Sequence, residues 1–229
     1  MAVTDTQTQT DEVQFLDALA QTEVNWLHER GVARRFERGA ALFHERQLSD
    51  RVMVLLEGRV KIASVSEDGR EAVLAFRGPG EVLGELSAID GQPRSATVIA
   101  VDPVRALVIP AHDFRRFLER TPNATLWLLT RLIARLREAD RKRIEFGASD
   151  TIGRVAARLV ELAERYGRDV DQGVRIDLPI TQEELASWVG SSREGVNKAL
   201  HTLKNLRWVE TEQRSITVLD MEALRRRAG

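Results

Sequence analysis

Between Val32 and Pro110 short apolar runs alternate with turn signals, and this rhythm constrains the fold more than any other feature of the chain. Val52-Met53-Val54-Leu55-Leu56 is followed by Glu57-Gly58, Val60 to Val65 by Glu67-Asp68-Gly69-Arg70, and Ala72 to Phe76 by Gly78-Pro79-Gly80. Asp68-Gly69 is a strong two-residue hairpin signal. Several short strands at near-regular spacing predict a β-sandwich or barrel, closed by Val98 to Ile109. Ahead of it, Glu12 to Arg30 carries Phe15, Leu16, Leu19, Val24, Trp26 and Leu27 on a helical period. That stretch predicts an N-terminal helical segment packed on the β unit.

Helices follow. Ala111 to Arg120 is short. Thr121 is an N-cap with Pro122 at the first helical position, opening a helix to about Phe146. Leu129, Leu132, Leu136, Ala139, Arg143 and Phe146 recur at spacings of three and four, a stripe like that of a coiled coil. A second copy of the chain is the simplest partner for that stripe; packing on the β unit is the alternative. Gly147-Ala148-Ser149-Asp150 breaks the helix, and Asp150 is placed to cap the next, Thr151 to Tyr166, whose Ile152, Val155, Leu159 and Leu162 form a core face. Val174 to Leu178 reads as a short strand.

Inside the β unit, Gly84-Glu85-Leu86-Ser87-Ala88-Ile89-Asp90-Gly91-Gln92-Pro93-Arg94-Ser95-Ala96 holds a carboxylate and a guanidinium bracketed by small residues. Gly84 lets backbone approach a ligand. Leu86 to Ile89 can form one helical turn whose first amides point outward. Asp90-Gly91-Gln92-Pro93 turns the chain back, and Arg94 leads into an extended run, Ser95 to Val101. A guanidinium beside free amides cradles an anion. A carboxylate accepts from sugar hydroxyls. Phosphate and sugar in one pocket mean a nucleotide; the plainer alternative is a tight turn carrying a surface Glu–Arg pair.

Gly-Glu-Leu followed by Arg-Ser-Ala resembles the phosphate-binding cassette of cyclic-nucleotide-binding domains. From Glu12 to Leu219 the chain resembles the Crp/Fnr superfamily of bacterial transcription regulators, of the catabolite activator type. The resemblance implies that Glu85 binds the ribose 2′-hydroxyl, that Arg94 and Ser95 bind the cyclic phosphate, and that Gly84 and Leu86 lend backbone. In the cAMP-responsive type adjacent Thr and Ser of the long helix read the base. Counted without gaps from Arg94, Ala139 and Asp140 stand there. Alanine makes no side-chain hydrogen bond, and an ionised aspartate only accepts. The implied effector is therefore cAMP or, through the N–H pair on guanine's edge, cGMP or another guanine nucleotide; binding of no nucleotide stays open.

Composition narrows the class. The chain has 229 residues, 43% hydrophobic and 30% charged, enough for one large or two modest domains. No apolar run approaches a membrane span, and Met1 to Asp11 is polar, unlike a signal peptide, so a cytoplasmic protein with a disordered tail is expected. There is no Cys, which excludes disulfides and the iron–sulfur branch of the superfamily. His28, His44, His112 and His201 form no metal-ligand pair at short spacing and read as surface or packing residues. The net charge of −1 argues mildly against a nucleic-acid binder, unless the positive charges share one face.

Distribution therefore matters more than the sum, and the stretch near the C-terminus is the place to look. Thr181-Gln182-Glu183-Glu184 is a capping box opening a short helix that ends at Gly190; Ser191 with Glu194 is placed for a second. Two short helices joined at a glycine are a helix-turn-helix signature. On the second, Arg193, Glu194, Asn197, Lys198, His201, Lys204 and Asn205 share one face and Val196, Ala199, Leu200 and Leu203 the other. Arg can grip guanine O6 and N7, and Glu can accept from cytosine N4. Ile180 to Leu203 resembles the Crp recognition motif without gaps. That implies double-stranded DNA with TGTGA-like palindromic half-sites, read by Arg193, Glu194 and Lys198, with Thr181, Gln182 and Ser192 on phosphates. Lys198 stands where the family often has Arg, and lysine lacks the bidentate fork. Trp208 to Thr211 and Ile216 to Leu219 flank Glu212-Gln213-Arg214 as a winged hairpin. Arg225-Arg226-Arg227 adds DNA-backbone affinity or is a solvated basic tail.

The expectation is an α+β protein: tail 1–11, cyclic-nucleotide-binding β-roll 12–120, dimerisation helix 121–146, hinge 147–150 and winged helix-turn-helix 151–229. The implied function is a homodimeric transcription regulator, with RNA polymerase as a further partner and no metal. A regulatory subunit of a cyclic-nucleotide-dependent enzyme is the rival of another class. An enzyme in its own right finds no Ser/His/Asp set or Gly-rich NTP loop to support it.

Overall fold

The computed structural model describes residues 14–48, 50–65, 69, 71–212 and 215–229. The expected tail, Asp68 of the hairpin turn, and Gln213 and Arg214 of the wing lie outside the described residues. The elements are a 3₁₀ turn at Leu16–Ala18, α1 (Gln21–Arg30), β1 (Val32–Phe36), β2 (Ala41–Phe43), β3 (Arg51–Glu57), β4 (Val60–Val65), β5 (Glu71–Arg77), β6 (Val82–Leu83), α2 (Glu85–Asp90), β7 (Thr97–Ala100), β8 (Val104–Pro110), α3 (Ala111–Arg120), α4 (Pro122–Ala148), α5 (Thr151–Tyr166), β9 (Gly167–Val170), β10 (Gly173–Ile176), α6 (Gln182–Val189), α7 (Arg193–Asn205), β11 (Val209–Thr211), β12 (Ile216–Val218) and α8 (Met221–Ala228).

Two four-stranded antiparallel sheets, β1-β8-β3-β6 and β2-β7-β4-β5, make the roll. Inward residues of both, among them Met53, Leu55, Val60, Leu83, Val98 and Ala106, fill its interior. The stretch Val98 to Ile109 is two strands around a turn, since Val101-Asp102-Pro103 interrupts it. The N-terminal segment is not one helix. Leu19 is extended, so only Gln21–Arg30 forms a full helix. The Phe15 amide donates to the Gly80 carbonyl, and its ring is buried among Phe114, Phe117 and Trp127. Anchoring that ring sets the chain's entry angle.

α4 has 27 residues, about 40 Å at 1.5 Å per residue. Thr121 precedes it and is buried, but its side chain makes no capping bond. The helix runs through Gly147 and stops at Ser149, so the break is two residues, Ser149 and Asp150. The expected stripe is shifted. Leu132 packs on the roll, while Leu126, Leu129, Ile133 and Leu136 are exposed at spacings of three and four. Asp140 and Arg143 continue that row and face each other at 3.8 Å.

α5, α6, α7 and α8 pack around Val155, Leu159, Leu162, Leu185, Val196 and Leu203, beside a sheet of order β11-β12-β10-β9. The single strand expected near Val174 is a hairpin of β9 and β10. Asp150 caps α5 through the Gly153 amide at 2.8 Å. The C-terminal arginines are helical and paired rather than a tail: Arg225 with Glu164 at 2.8 Å, Arg226 with Glu222 at 3.7 Å and Arg227 with Asp150 at 2.5 Å.

Candidate functional site

Gly84 has φ 80°, a left-handed conformation that glycine adopts without strain. It is the N-cap of α2, which starts one residue earlier than the sequence suggests. A Cβ on Gly84 would lie 2.0 Å from Arg94 Nη1, so the glycine also makes room for the guanidinium. Arg94 is 5% exposed. It donates to the Gly84 carbonyl at 2.8 Å and the Arg51 carbonyl at 2.5 Å, and stands 3.7 Å over the Phe43 ring. Burial, with Arg51 nearby, lowers its pKa to about 10, so it stays charged at neutral pH. Glu85 is 4% exposed and accepts from Arg135 Nη1 of α4 at 2.6 Å.

Both side chains line one cavity of about 560 Å³. Gly84, Leu86, Ser95 and Ala139 line it too; Asp140 does not line it, but pairs at 3.8 Å with Arg143, which does. Sequence reasoning missed Arg135, Lys142, Phe146 and Trp188 on the cavity wall. Arg135 is the notable omission, because it ties the cassette carboxylate to the long helix. The i,i+4 repeat of Arg131 and Arg135 was its one sequence signal, and on a helix that also describes a solvated face.

The cavity reaches the helix-turn-helix. β5 is the edge strand of its sheet, and α6 covers that edge. The Ser187 hydroxyl donates to the Glu71 carbonyl and accepts from the Val73 amide at 3.0 Å. Lys61 bridges Glu71 at 2.6 Å and Glu184 at 2.9 Å. Phe76 and Trp188 meet edge to face, centroids 5.1 Å apart. Burial works to raise the pKa of Glu184, but the Thr181 amide and Lys61 prevail and hold it below the usual carboxylate value. Lower down, Arg158 is buried between Glu145 of α4 and Glu161, and Arg154 donates to the Val189 and Ser149 carbonyls. The Phe146 ring covers Gly190, where a Cβ would lie 2.1 Å from it.

Gly190 is left-handed, φ 60°, and ends α6. The Thr181–Glu184 capping box is present. The second box is not. Ser192, not Ser191, caps α7 through the Gly195 amide at 3.0 Å, because the glycine turn carries the chain one residue further before it coils. Arg193, Glu194, Asn197 and Lys198 are exposed together on α7, with Lys198 2.8 Å from Glu194. Gln182 and Ser192 are exposed beside them. Thr181 is exposed, but its hydroxyl donates to Glu184 at 3.0 Å, so a phosphate contact would compete with the cap. Among the described residues no cluster of three or more His, Cys, Asp or Glu is placed to hold a metal ion, and no helix is long and apolar enough to cross a membrane.

A buried Glu–Arg cassette on a roll, packed against a helix-turn-helix, defines the class: a DNA-binding protein with a ligand-binding domain. The family model for the cyclic nucleotide-binding domain matches residues 33–121 and that for the Crp-like helix-turn-helix domain residues 153–227. The chain is 37% identical over 193 residues to the CRP-like cAMP-activated global transcriptional regulator of Mycobacterium tuberculosis, covering 84% of this chain and 86% of the relative. It is 31% identical over 185 residues to the cyclic AMP receptor protein of Thermus thermophilus, covering 81% and 82%. A CRP/FNR-family regulator of Thermus thermophilus superposes with TM-score 0.73 at 28% identity, covering 86% of this chain and 98% of that one. The chain belongs to the Crp family of transcription regulators: it joins a cyclic nucleotide-binding domain to a DNA-binding one, and its relatives are regulators, not enzymes.

Proposed function

We propose that this regulator acts as a homodimer in the cytoplasm, and that cAMP is the effector that sets its affinity for palindromic DNA with TGTGA-like half-sites. The observation that carries this reading is the pair Glu85 and Arg94. Both are nearly fully buried, and both line a cavity large enough for a nucleotide. Glu85 takes the ribose hydroxyl. Arg94 and Ser95 take the phosphate, with Gly84 and Leu86 lending amides. The base lies toward Ala139. The names of the Mycobacterium tuberculosis and Thermus thermophilus relatives support cAMP.

The exposed row Leu126, Leu129, Ile133 and Leu136 supports pairing of two α4 helices. Asp140 then faces the seam. The residues around Ser149 and Asp150 are the hinge, and domains divide there. Ligand contact with α4 shifts the population of hinge states, bringing two α7 helices about 34 Å apart for successive major grooves. Arg193, Glu194, Asn197 and Lys198 read bases; Gln182, Ser192 and Thr181 meet phosphates. Contact with RNA polymerase follows once bound.

Two observations favour second readings. Ala139 offers no side-chain hydrogen bond to adenine, which leaves cGMP or another guanine nucleotide in play. Glu85 and Arg94 already have internal partners, Arg135 and two carbonyls, as a ligand-independent regulator would. Fluorescence anisotropy with a TGTGA-palindrome duplex at fixed salt, with and without cAMP and cGMP, separates them. Enhancement by cAMP is the expected result. Enhancement by cGMP alone selects the guanine reading, and equal tight binding throughout means the cassette no longer gates DNA.

A further inference from the structure

α4 divides two cavities. The nucleotide cavity opens on the flank of Ala139, Lys142 and Phe146; a second, of about 300 Å³, opens on the flank of Ala134, Arg137 and Arg141. Arg77 of β5 and Arg165 of α5 close the second cavity, so the roll, the long helix and the DNA-binding half all meet there. Six guanidiniums line it against two carboxylates, Glu81 and Glu138; just outside the lining Arg135 also pairs with Glu85 at 2.6 Å, Arg165 with Glu161 at 3.8 Å and Arg141 with Glu145 at 3.9 Å.

Those carboxylates are oversubscribed. Glu81 is shared by Arg77 at 2.9 Å, Arg135 at 3.4 Å and Arg131 at 3.6 Å. Glu138 serves Lys142 at 2.6 Å and Arg165 at 3.3 Å. Burial would raise the pKa of Glu138, yet Lys142, Arg165 and Arg77 hold it down to about 2. At the mouth, Arg141 reaches Glu145 only at 3.9 Å and is 71% exposed, and Arg137 has no carboxylate partner among the described residues. Concave walls of one sign focus the potential. Guanidinium forks match phosphate oxygens two by two.

We infer that this cleft is a second effector site, separate from the cassette, that takes a polyphosphate anion. Two linked phosphates offer oxygens to both the exposed pair, Arg137 and Arg141, and the deeper Arg131 and Arg165; a single phosphate serves one pair. Bound there, the anion links α5 to the roll through α4. It also competes with Glu81 for Arg135, whose other nitrogen holds Glu85 in the nucleotide cavity.

The test is isothermal titration of the full chain with inorganic pyrophosphate, without magnesium and at low salt. Wild type and Arg94→Ala should each show one saturable site per chain, with inorganic phosphate at least tenfold weaker. Arg137→Ser/Arg141→Ser, both exposed positions, should keep the thermal unfolding curve and weaken pyrophosphate at least tenfold; Arg137→Ser alone should weaken it less. The inference is overturned by no saturable site in wild type, by wild-type affinity in the double variant, or by loss of binding in Arg94→Ala, which would place the anion in the cassette.

Discussion

Lys61 of β4 lies 2.9 Å from Glu184, the residue that closes the capping box of α6, so the roll grips the helix-turn-helix by its own cap. Glutamine at 184 still accepts from the Thr181 amide but offers Lys61 no charge. Glu184→Gln should therefore leave α6 folded and weaken docking by roughly 1.5–3 kcal/mol, the range for hydrogen bonds to charged groups. Exchange of the Val73 amide, which Ser187 holds, should accelerate about tenfold or more. An unchanged exchange rate would show that the bridge contributes nothing to docking.

Arg135 is the cation that pairs with Glu85. Arg135→Gln strands a buried carboxylate and should lower stability in urea unfolding by roughly 1–3 kcal/mol. Adding Glu85→Gln should restore most of the stability and none of the nucleotide affinity. Recovery of neither would mean that Arg135 matters through packing alone.

The seam makes opposite predictions at two positions. Leu136→Asp should shift sedimentation toward monomer, because a charge replaces apolar contact. Asp140→Leu should tighten the dimer by roughly 1.5–3 kcal/mol, the stabilisation from burying a leucine. Equal sedimentation of both variants and wild type would move the dimer interface elsewhere.

On DNA, Arg193→Ala should cost about 1–3 kcal/mol and relax preference at one base pair of each half-site. Gln182→Ala should weaken all sequences alike, since a phosphate contact carries no sequence information. Anisotropy with a set of single-base variants of the duplex tells the two apart.

Acid should release the docked arrangement. Glu138 and Glu184 have folded pKa values below the ordinary 4.5, so the stability they contribute is complete above that value. It drains as pH falls toward about 2, where Glu138 titrates. Glu161, raised by burial, takes its proton earlier and works the other way. Glu138→Gln should flatten the acid limb of the urea midpoint plotted against pH; an unchanged limb would assign it to other carboxylates.

What the chain announced in advance was local. The hairpin rhythm of the roll, the Thr181–Glu184 box, the Asp150 cap and the glycine after Val189 each depend on residues a few positions apart. The misses have one physical origin, competition between neighbours settled by distant packing. Leu132 and Ile133 are both apolar, and only the roll's demand for Leu132 decides which of them faces outward. Ser191 and Ser192 can both cap, and the turn at Gly190 chooses. Glu85 and Arg135 lie 50 residues apart, so their pairing has no short-range signature. Helical pairing of Arg225 and Arg227 likewise needed α5 in place.

Gly190 carries two demands at once, its left-handed backbone and the Phe146 ring lying over it. The end of the long helix thus reads the side-chain size of the helix-turn-helix turn. Residues 146 and 190 should behave as a co-evolving pair: across relatives, a side chain at the turn should come with a small residue at 146, and a glycine with a large one. The same coupling makes Phe146→Ala a suppressor of the steric part of a defect introduced at Gly190, and leaves the part due to the left-handed backbone.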